Sequence, residues 1–487
     1  MKFVILSENS NGAWPYLYVR SMGPYELRRR IEEQNHQATI IEWFTYWSDS
    51  ELKLVIESYF KDELEPVIAI STPFNSADVH KIKQILIWAK DKYPNLKIIH
   101  GGSRTYDEQL ADIIDVFFLG RSMKMFDDWL MNKDLSSYIS NTNPLVLNNT
   151  NFDQDIDNPV IPILKNDDFL IDKDIIGFEI GVGCKFNCTF CKYELRNAKI
   201  TKTADAYELR NYFDIAYNKY GIDNFFTGDD TLNETDEKLE IIAEAISTLN
   251  YHPKISAFTR LDIITGRKQQ IDLLEKIQFD SLFFGIESFN PEASKLIRKK
   301  SGLGNVYDTL KEIKRVSPNT FTVGGIIVGL NKDSAESIYQ SIDRVIEEKL
   351  LSSLEFYPLH IAKANGLAKD DFHSEIEKDP ERFGYVASDV IDFYQNNKKV
   401  SIINWKSDWS DFKSATKLSE EINDYCKGKI SQIGHLEYAG FRSIGVLKDS
   451  TSLNTTREIL NNRAFFISKQ LKDSYIKKKL KYLTGNG

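Results

Sequence analysis

The chain opens with five short apolar runs, Phe3–Leu6, Ala38–Ile41, Val67–Ile70, Leu96–Ile99 and Val116–Leu119, each rich in β-branched or aromatic residues and bounded by polar or Gly-containing turns. Such runs read as buried strands. Between them, segments such as Tyr25–Gln34 and Val79–Lys90 place apolar residues at helical spacing. The rules for βαβ units allow few solutions to this alternation, and the simplest is a parallel, doubly wound α/β sheet. Ligands of such sheets sit at the carboxyl ends of the strands. Here those ends carry Ser7, Ser71-Thr72, Gly101-Gly102 and Gly120, small residues that let a flat or phosphate-bearing ligand approach. We assign residues 1–135 to this Rossmann-like domain.

Residues 136–174 are richer in Asn, Asp, Ser and Thr, with Pro144, Pro159 and Pro162, and read as a linker that Leu145-Val146-Leu147 and Val160-Ile161 anchor to a core. A second strand and helix series follows over 175–365. Its strands are expected at Ile175–Ile180, Asn224–Phe226, Lys254–Phe258, Leu282–Phe284, Val323–Val328 and Leu354–Leu359, and Leu239, Ile242, Ile246 and Leu249 share one helical face. Residues 366–487 read as a mostly helical accessory region, with helices expected over Glu377–Gln395 and Asp411–Lys427.

The first strand of the second series runs into Gly183-Cys184-Lys185-Phe186-Asn187-Cys188-Thr189-Phe190-Cys191. Three thiolates on one loop can each take a different iron of a cubane 4Fe-4S cluster and leave the fourth iron open to substrate. Zinc is the weaker alternative, because the nearest downstream histidine is His252 and paired Cys-x-x-Cys knuckles are absent. A disulfide framework fits less well, since the only other cysteine, Cys426, stands alone.

This loop resembles that of the radical S-adenosylmethionine (radical SAM) enzymes, and later segments follow the family's order. The resemblance implies a partial (β/α)6 TIM-type barrel over 175–365, with chemistry at the carboxyl ends of its strands. It implies that Cys184, Cys188 and Cys191 hold the cluster, with Phe190 beside it. Thr227-Gly228-Asp229-Asp230 stands where the family holds the methionine amino group, and Arg260 and Arg298 are alternative partners for the carboxylate. Gly285-Ile286-Glu287-Ser288 matches the ribose-facing segment, and Gly324-Gly325-Ile326-Ile327-Val328-Gly329-Leu330 the segment packed on adenine. The chain departs from the family after that strand, where Asn331-Lys332-Asp333 replaces a common Pro-Gly-Glu.

Residues 1–135 resemble the cobalamin-binding domain that precedes the radical core in one class of these enzymes, through Gly23-Pro24-Tyr25-Glu26-Leu27, Ala38-Thr39-Ile40-Ile41-Glu42-Trp43, Ile70-Ser71-Thr72-Pro73 and Ile98-Ile99-His100-Gly101-Gly102. The Asp-x-His-x-x-Gly loop that supplies a cobalt ligand in many cobalamin proteins is missing. The alternative is a domain that serves as empty scaffold or docks substrate. The resemblance as a whole implies reductive cleavage of S-adenosylmethionine to a 5′-deoxyadenosyl radical, with an external flavodoxin or ferredoxin as electron donor. Methyl transfer follows if cobalamin is bound; rearrangement, oxidation or RNA modification are the alternatives. A cluster-containing sensor without catalysis is a further alternative, with Cys426 as fourth ligand. In the enzyme reading, Cys426 is a candidate hydrogen donor or an inert buried thiol.

The 487 residues, 42% hydrophobic and 12% aromatic, suffice for two or three cores. No apolar run approaches membrane-spanning length, and Met1–Leu6 meets Ser7-Glu8-Asn9 too soon for a signal peptide, so a cytoplasmic location is expected. A net charge of −9 argues against a broad grip on nucleic acid. The basic run Arg463, Lys469, Lys472, Lys477, Lys478, Lys479 and Lys481 reads as a solvated helix end or an electrostatic guide for an acidic partner. The substrate is not legible.

Overall fold

The computed structural model describes residues 1–8, 18–72, 82–103, 110–120, 123–148, 158–192, 202–299, 306–361, 374–395, 398–447 and 457–485. They form two compact units, the first built from residues 1–177, 215–222 and 461–487, the second from 178–214 and 223–460.

In the first unit the five predicted runs become β1 (Lys2–Ser7), β2 (Gln37–Glu42), β3 (Val67–Ser71), β4 (Lys97–Ser103) and β5 (Val116–Leu119). The segment read as a linker supplies two more strands, β6 (Ile139–Thr142) and β7 (Leu145–Asn148). The sheet order is β2-β1-β3-β4-β5-β7-β6, parallel except for β6 against β7. Val146 and Leu147 are buried, so the short apolar anchor is itself an element of the sheet. The order reverses between β1 and β3, which makes the carboxyl ends of those strands the topological switch point. The helix Met22–Glu33 packs on one face through Tyr25 and Ile31, within a core that includes Phe3, Ile5, Ile40, Val67, Ala69, Val116 and Phe118.

Two buried ion pairs tie the end of the linker to this helix region. Arg20 Nε meets Asp174 at 2.7 Å, and Arg28 Nη2 meets the Asp168 carboxylate at 3.0 Å. The Arg20 guanidinium also lies 4.4 Å from the Trp43 ring and 4.8 Å from that of Tyr475. Tyr475 belongs to the last helix, Arg457–Thr484, whose basic run is not a solvated end throughout. Lys472 and Lys479 are buried: the first lies 4.0 Å from the Tyr46 ring, and the second donates to the Asp167 carbonyl at 2.8 Å. Burial lowers the Lys472 ammonium to a pKa of about 8.

In the second unit β8 (Ile176–Phe178), which begins at the unit boundary, leads to β9 (Gly181–Val182) and the cysteine loop. After β10 (Lys202–Thr203) come β11 (Asn224–Thr227), β12 (Lys254–Thr259), β13 (Ser281–Glu287), β14 (Phe321–Val328) and β15 (Ser353–Pro358). Together with β8 they make a six-stranded sheet in the order β15-β14-β13-β12-β11-β8. All six expected strands are therefore present, hydrogen-bonded in chain order. One face meets the helix His435–Ser443 and the turn before it: Ser281 Oγ donates to the His435 carbonyl at 3.1 Å, and Ser353 Oγ to that of Ile433 at 2.8 Å. On the same face the Phe258 ring lies 4.3 Å from that of His435, and Phe283 covers the spot a Cβ on Gly325 would need.

The accessory region corrects one expectation. Residues 377–395 do not form one helix; β16 (Val386–Gln395) and β17 (Lys398–Lys406) make an antiparallel hairpin, preceded by a short α-helix, Glu375–Lys378, and a 3-10 turn, Glu381–Phe383. Val390 pairs with Ile403 and Ile391 with Ile402, and β-branched pairs of this kind favour a ladder over a helix. The helix expected over 411–427 is present as Phe412–Cys426, started by Asp411, whose carboxylate accepts from Ser414 N at 2.7 Å. Among the described residues no helix is long and apolar enough to cross a membrane.

Candidate active site at the cysteine loop

The root of the loop is held by a buried charge cluster. The Asp229 carboxylate accepts from the backbone N–H groups of Ile180 and Gly181, both at 2.8 Å, and from Lys238 Nζ at 3.2 Å. Lys238 also reaches Glu234 at 3.1 Å, and the side chains of all three are at most 1% exposed. Burial raises the Asp229 carboxyl above its ordinary range, and the Lys238 charge opposes that shift. The lysine stem lies directly over Gly181, where a Cβ would collide with it. Glu234 meets the loop as well, accepting from Lys185 N at 3.1 Å. The acidic residue of the Gly228-Asp229-Asp230 segment thus orients the strand end that delivers Cys184, while Asp230 is exposed.

All four cysteines are free thiols. Cys184 and Cys188 are buried, and Cys191 is partly exposed. The Cys184 Sγ lies 3.7 Å from Thr231 Oγ1, and burial raises its pKa. Cys191 N donates to the Cys188 carbonyl at 3.1 Å, which folds the loop into a tight turn. Among the described residues no three thiols, imidazoles or carboxylates converge as ligands of one ion would. Three soft thiols on one short loop fit a cubane, whose cysteines bind separate irons.

Arg260 is built into this loop. Its Nη1 lies 3.0 Å from Cys188 Sγ, and its guanidinium is 4.0 Å from the centre of the Phe186 ring. Asp262 grips the other edge, at 3.0 Å to Nε and 2.7 Å to Nη2. Burial opposes the charge on Arg260, but Asp262 and the thiols outweigh it and hold the guanidinium above its ordinary pKa. Arg298 lies elsewhere, forked onto Glu375 with one contact at 2.8 Å and donating to the Asn187 carbonyl at 3.2 Å.

The remaining predicted residues follow the later strands. Glu287 closes β13 after a bulge, with φ of +64°, and its Oε1 lies 3.0 Å from Lys299 Nζ. Lys299 also donates to the Gly285 carbonyl at 2.6 Å and lies 6.0 Å from the Phe190 ring. Ser288 Oγ donates to Asp333, from the segment where the chain departs from the family's pattern. Val328 ends β14, and Gly329 turns away with φ of +102° beneath Trp405. Cys426 closes the helix Phe412–Cys426; burial pushes its thiol up to about 11, with the Lys429 charge opposing. Sequence reasoning missed Lys238, Glu234, Asp262 and Lys299, which are partners of predicted residues with no spacing pattern of their own.

Residues 178–345 match the Radical SAM superfamily, so the sheet that carries the cysteine loop is a radical SAM domain. The protein therefore carries the domain of a superfamily that uses a 4Fe-4S cluster and S-adenosylmethionine. Over nearly the whole chain it is similar in fold to two cobalamin-dependent members. The radical S-adenosylmethionine methyltransferase TsrM from Kitasatospora setae, solved with tryptophan substrate and a SAM analogue, matches at 10% identity and a TM-score of 0.65, over 94% of this chain and 99% of that one. The cobalamin-dependent S-adenosylmethionine radical enzyme OxsB, solved with aqua-cobalamin, matches at 12% identity and a TM-score of 0.61, over 95% of this chain and 72% of that one. No protein of curated function matches the sequence.

Proposed function

We propose that this enzyme methylates a small substrate, using cobalamin held by the first unit and S-adenosylmethionine cleaved at a cluster on Cys184, Cys188 and Cys191. The observation that carries the proposal is the pairing, in one chain, of a doubly wound sheet with a radical SAM domain, the arrangement of folds shared with TsrM and OxsB. In the first unit a ligand of the cobalamin class would sit at the switch point. The carboxyl ends of β1 and β3 carry Ser7 and Ser71, and the Tyr25 hydroxyl and the Trp43 indole N–H, flanking the β2 end, are buried without a hydrogen-bond partner. Buried polar atoms are ordinarily satisfied, so these two favour a bound group or ordered water.

When bound, the cluster and S-adenosylmethionine supply one-electron cleavage of the sulfonium, and cobalamin supplies a transferable methyl group. The chain's part is to hold and orient. Asp229 and Lys238 set the loop root, and we assign the exposed Asp230 to the ammonium of S-adenosylmethionine. Glu287 and Ser288 are assigned to its ribose, and the Val328-Gly329 turn to its adenine. A reducing protein such as a flavodoxin or ferredoxin is the proposed electron donor. Phe258 and Tyr357, each partly exposed on the sheet face that carries Phe283 and Glu355, are the proposed substrate contacts.

The test is the metal content of anaerobically purified protein expressed with cobalamin, followed by product analysis under reducing conditions. About four irons and one cobalt per chain, with 5′-deoxyadenosine or S-adenosylhomocysteine released, are expected. Iron without cobalt would overturn methyl transfer through cobalamin and favour the second reading, hydrogen abstraction without methylation.

A further inference from the structure

Arg260 and Cys188 lie 72 residues apart in the chain, yet the guanidinium meets the sulfur at 3.0 Å in a buried setting. Asn233, Asp262 and Phe186 restrain that arginine. Its backbone N–H donates to Asn233 Oδ1 at 2.8 Å, and its carbonyl accepts from Asn233 Nδ2 at 3.0 Å, so one buried amide clamps both sides of the peptide. Asn233 is itself fixed by Gln270 at 3.0 Å. Asp262 takes two N–H groups of the fork, and the guanidinium plane rests near Phe186, a residue of the cysteine loop. The nitrogen presented to Cys188 is what remains of a side chain with little rotamer freedom.

We propose that Arg260 is a positioning residue that tunes the cluster through Cys188, donating a charge-assisted N–H to the ligating sulfur and raising the cluster's reduction potential. The inference rests on the function proposed above. Its physical basis is electrostatic. Reduction adds an electron whose charge spreads over the sulfurs, and hydrogen bonds to those sulfurs set cluster potentials. A fixed positive donor therefore stabilises the reduced state more than the oxidised one, and more strongly when buried than in water. Asp262 keeps the guanidinium ionised and aimed, and it partly offsets the positive charge felt by the cluster. The fork geometry makes lysine an imperfect replacement.

The experiment compares wild type with Arg260→Lys, Arg260→Gln and Arg260→Met as reconstituted holoproteins without S-adenosylmethionine. Iron and sulfide are counted, and the midpoint potential is read by EPR-monitored titration. We expect full or nearly full cluster content, with potentials becoming more negative in the order wild type, Lys, Gln, Met. Asp262→Asn, which loosens the grip but leaves the donor, should shift the potential less than Arg260→Met. Unchanged potentials with intact clusters would overturn the proposal. Loss of iron from all three Arg260 variants, with native circular dichroism, would equally overturn it and make Arg260 a structural clamp of the loop. If wild-type protein takes up no iron and sulfide, the functional reading itself fails, which separates the two failures.

Discussion

Replacing Lys238 with methionine should be among the most damaging single changes near the site, although the lysine is not itself a predicted cofactor ligand. The lysine sits between Asp229 and Glu234, with all three side chains buried and contacts of 3.2 and 3.1 Å. Methionine fills similar space, so the cavity left is small and the loss is electrostatic. Removing one partner from a buried pair typically costs about 3–5 kcal/mol, because a charge is left uncompensated. Here two carboxylates remain, and one of them anchors Ile180 and Gly181 at the root of the cysteine loop. The cost is a large share of the roughly 5–15 kcal/mol that stabilises a typical domain. Urea unfolding followed by circular dichroism should show a loss of about 3 kcal/mol or more at neutral pH. Iron retention should fall in parallel. The deficit should shrink as pH is lowered toward 5, because the Asp229 carboxyl, already raised by burial and raised further without Lys238, then takes up a proton in the folded state. Adding Asp229→Asn should recover part of the loss. A deficit under about 1 kcal/mol would refute the reasoning and mean that the charges are solvated in solution.

Gly329→Ala combines a left-handed φ of +102° with a Cβ placed 2.6 Å from Trp405 Cη2, so a loss of about 2 kcal/mol or more is expected in thermal or urea denaturation. His435 is buried among aromatic rings, and desolvation lowers its pKa to about 3 from 6.5, so the unfolded chain binds a proton that the folded chain refuses. Stability should therefore fall as pH drops below about 6.5, by about 2 kcal/mol per site at pH 5, and His435→Gln should flatten that slope in urea titrations at the two pH values. Cys426→Ala should leave iron content unchanged, whereas Cys188→Ala should lose the cluster and S-adenosylmethionine cleavage; iron lost from the Cys426 variant would point to a fourth protein ligand.

What the sequence determined alone was whatever repeats locally. Phe3–Leu6 and its four successors declare strands through composition and bounding turns, and Cys184, Cys188 and Cys191 declare a cluster loop through spacing, because both signals need only neighbours in the chain. Residues 386–395 were misread for the complementary reason: the choice between helix and hairpin was made by Val390 against Ile403, a partner on another strand. The tertiary structure also decided what the predicted site residues do. Asp229 is turned inward by Lys238 and two backbone amides, and Lys472 and Lys479 are drawn out of a run that looks solvated. Arg260 is brought onto Cys188 by an asparagine clamp and an Asp262 fork, in a pairing that no periodicity records. Burial and long-range pairing set the charge and direction of a side chain, and both exist only once distant segments have packed together.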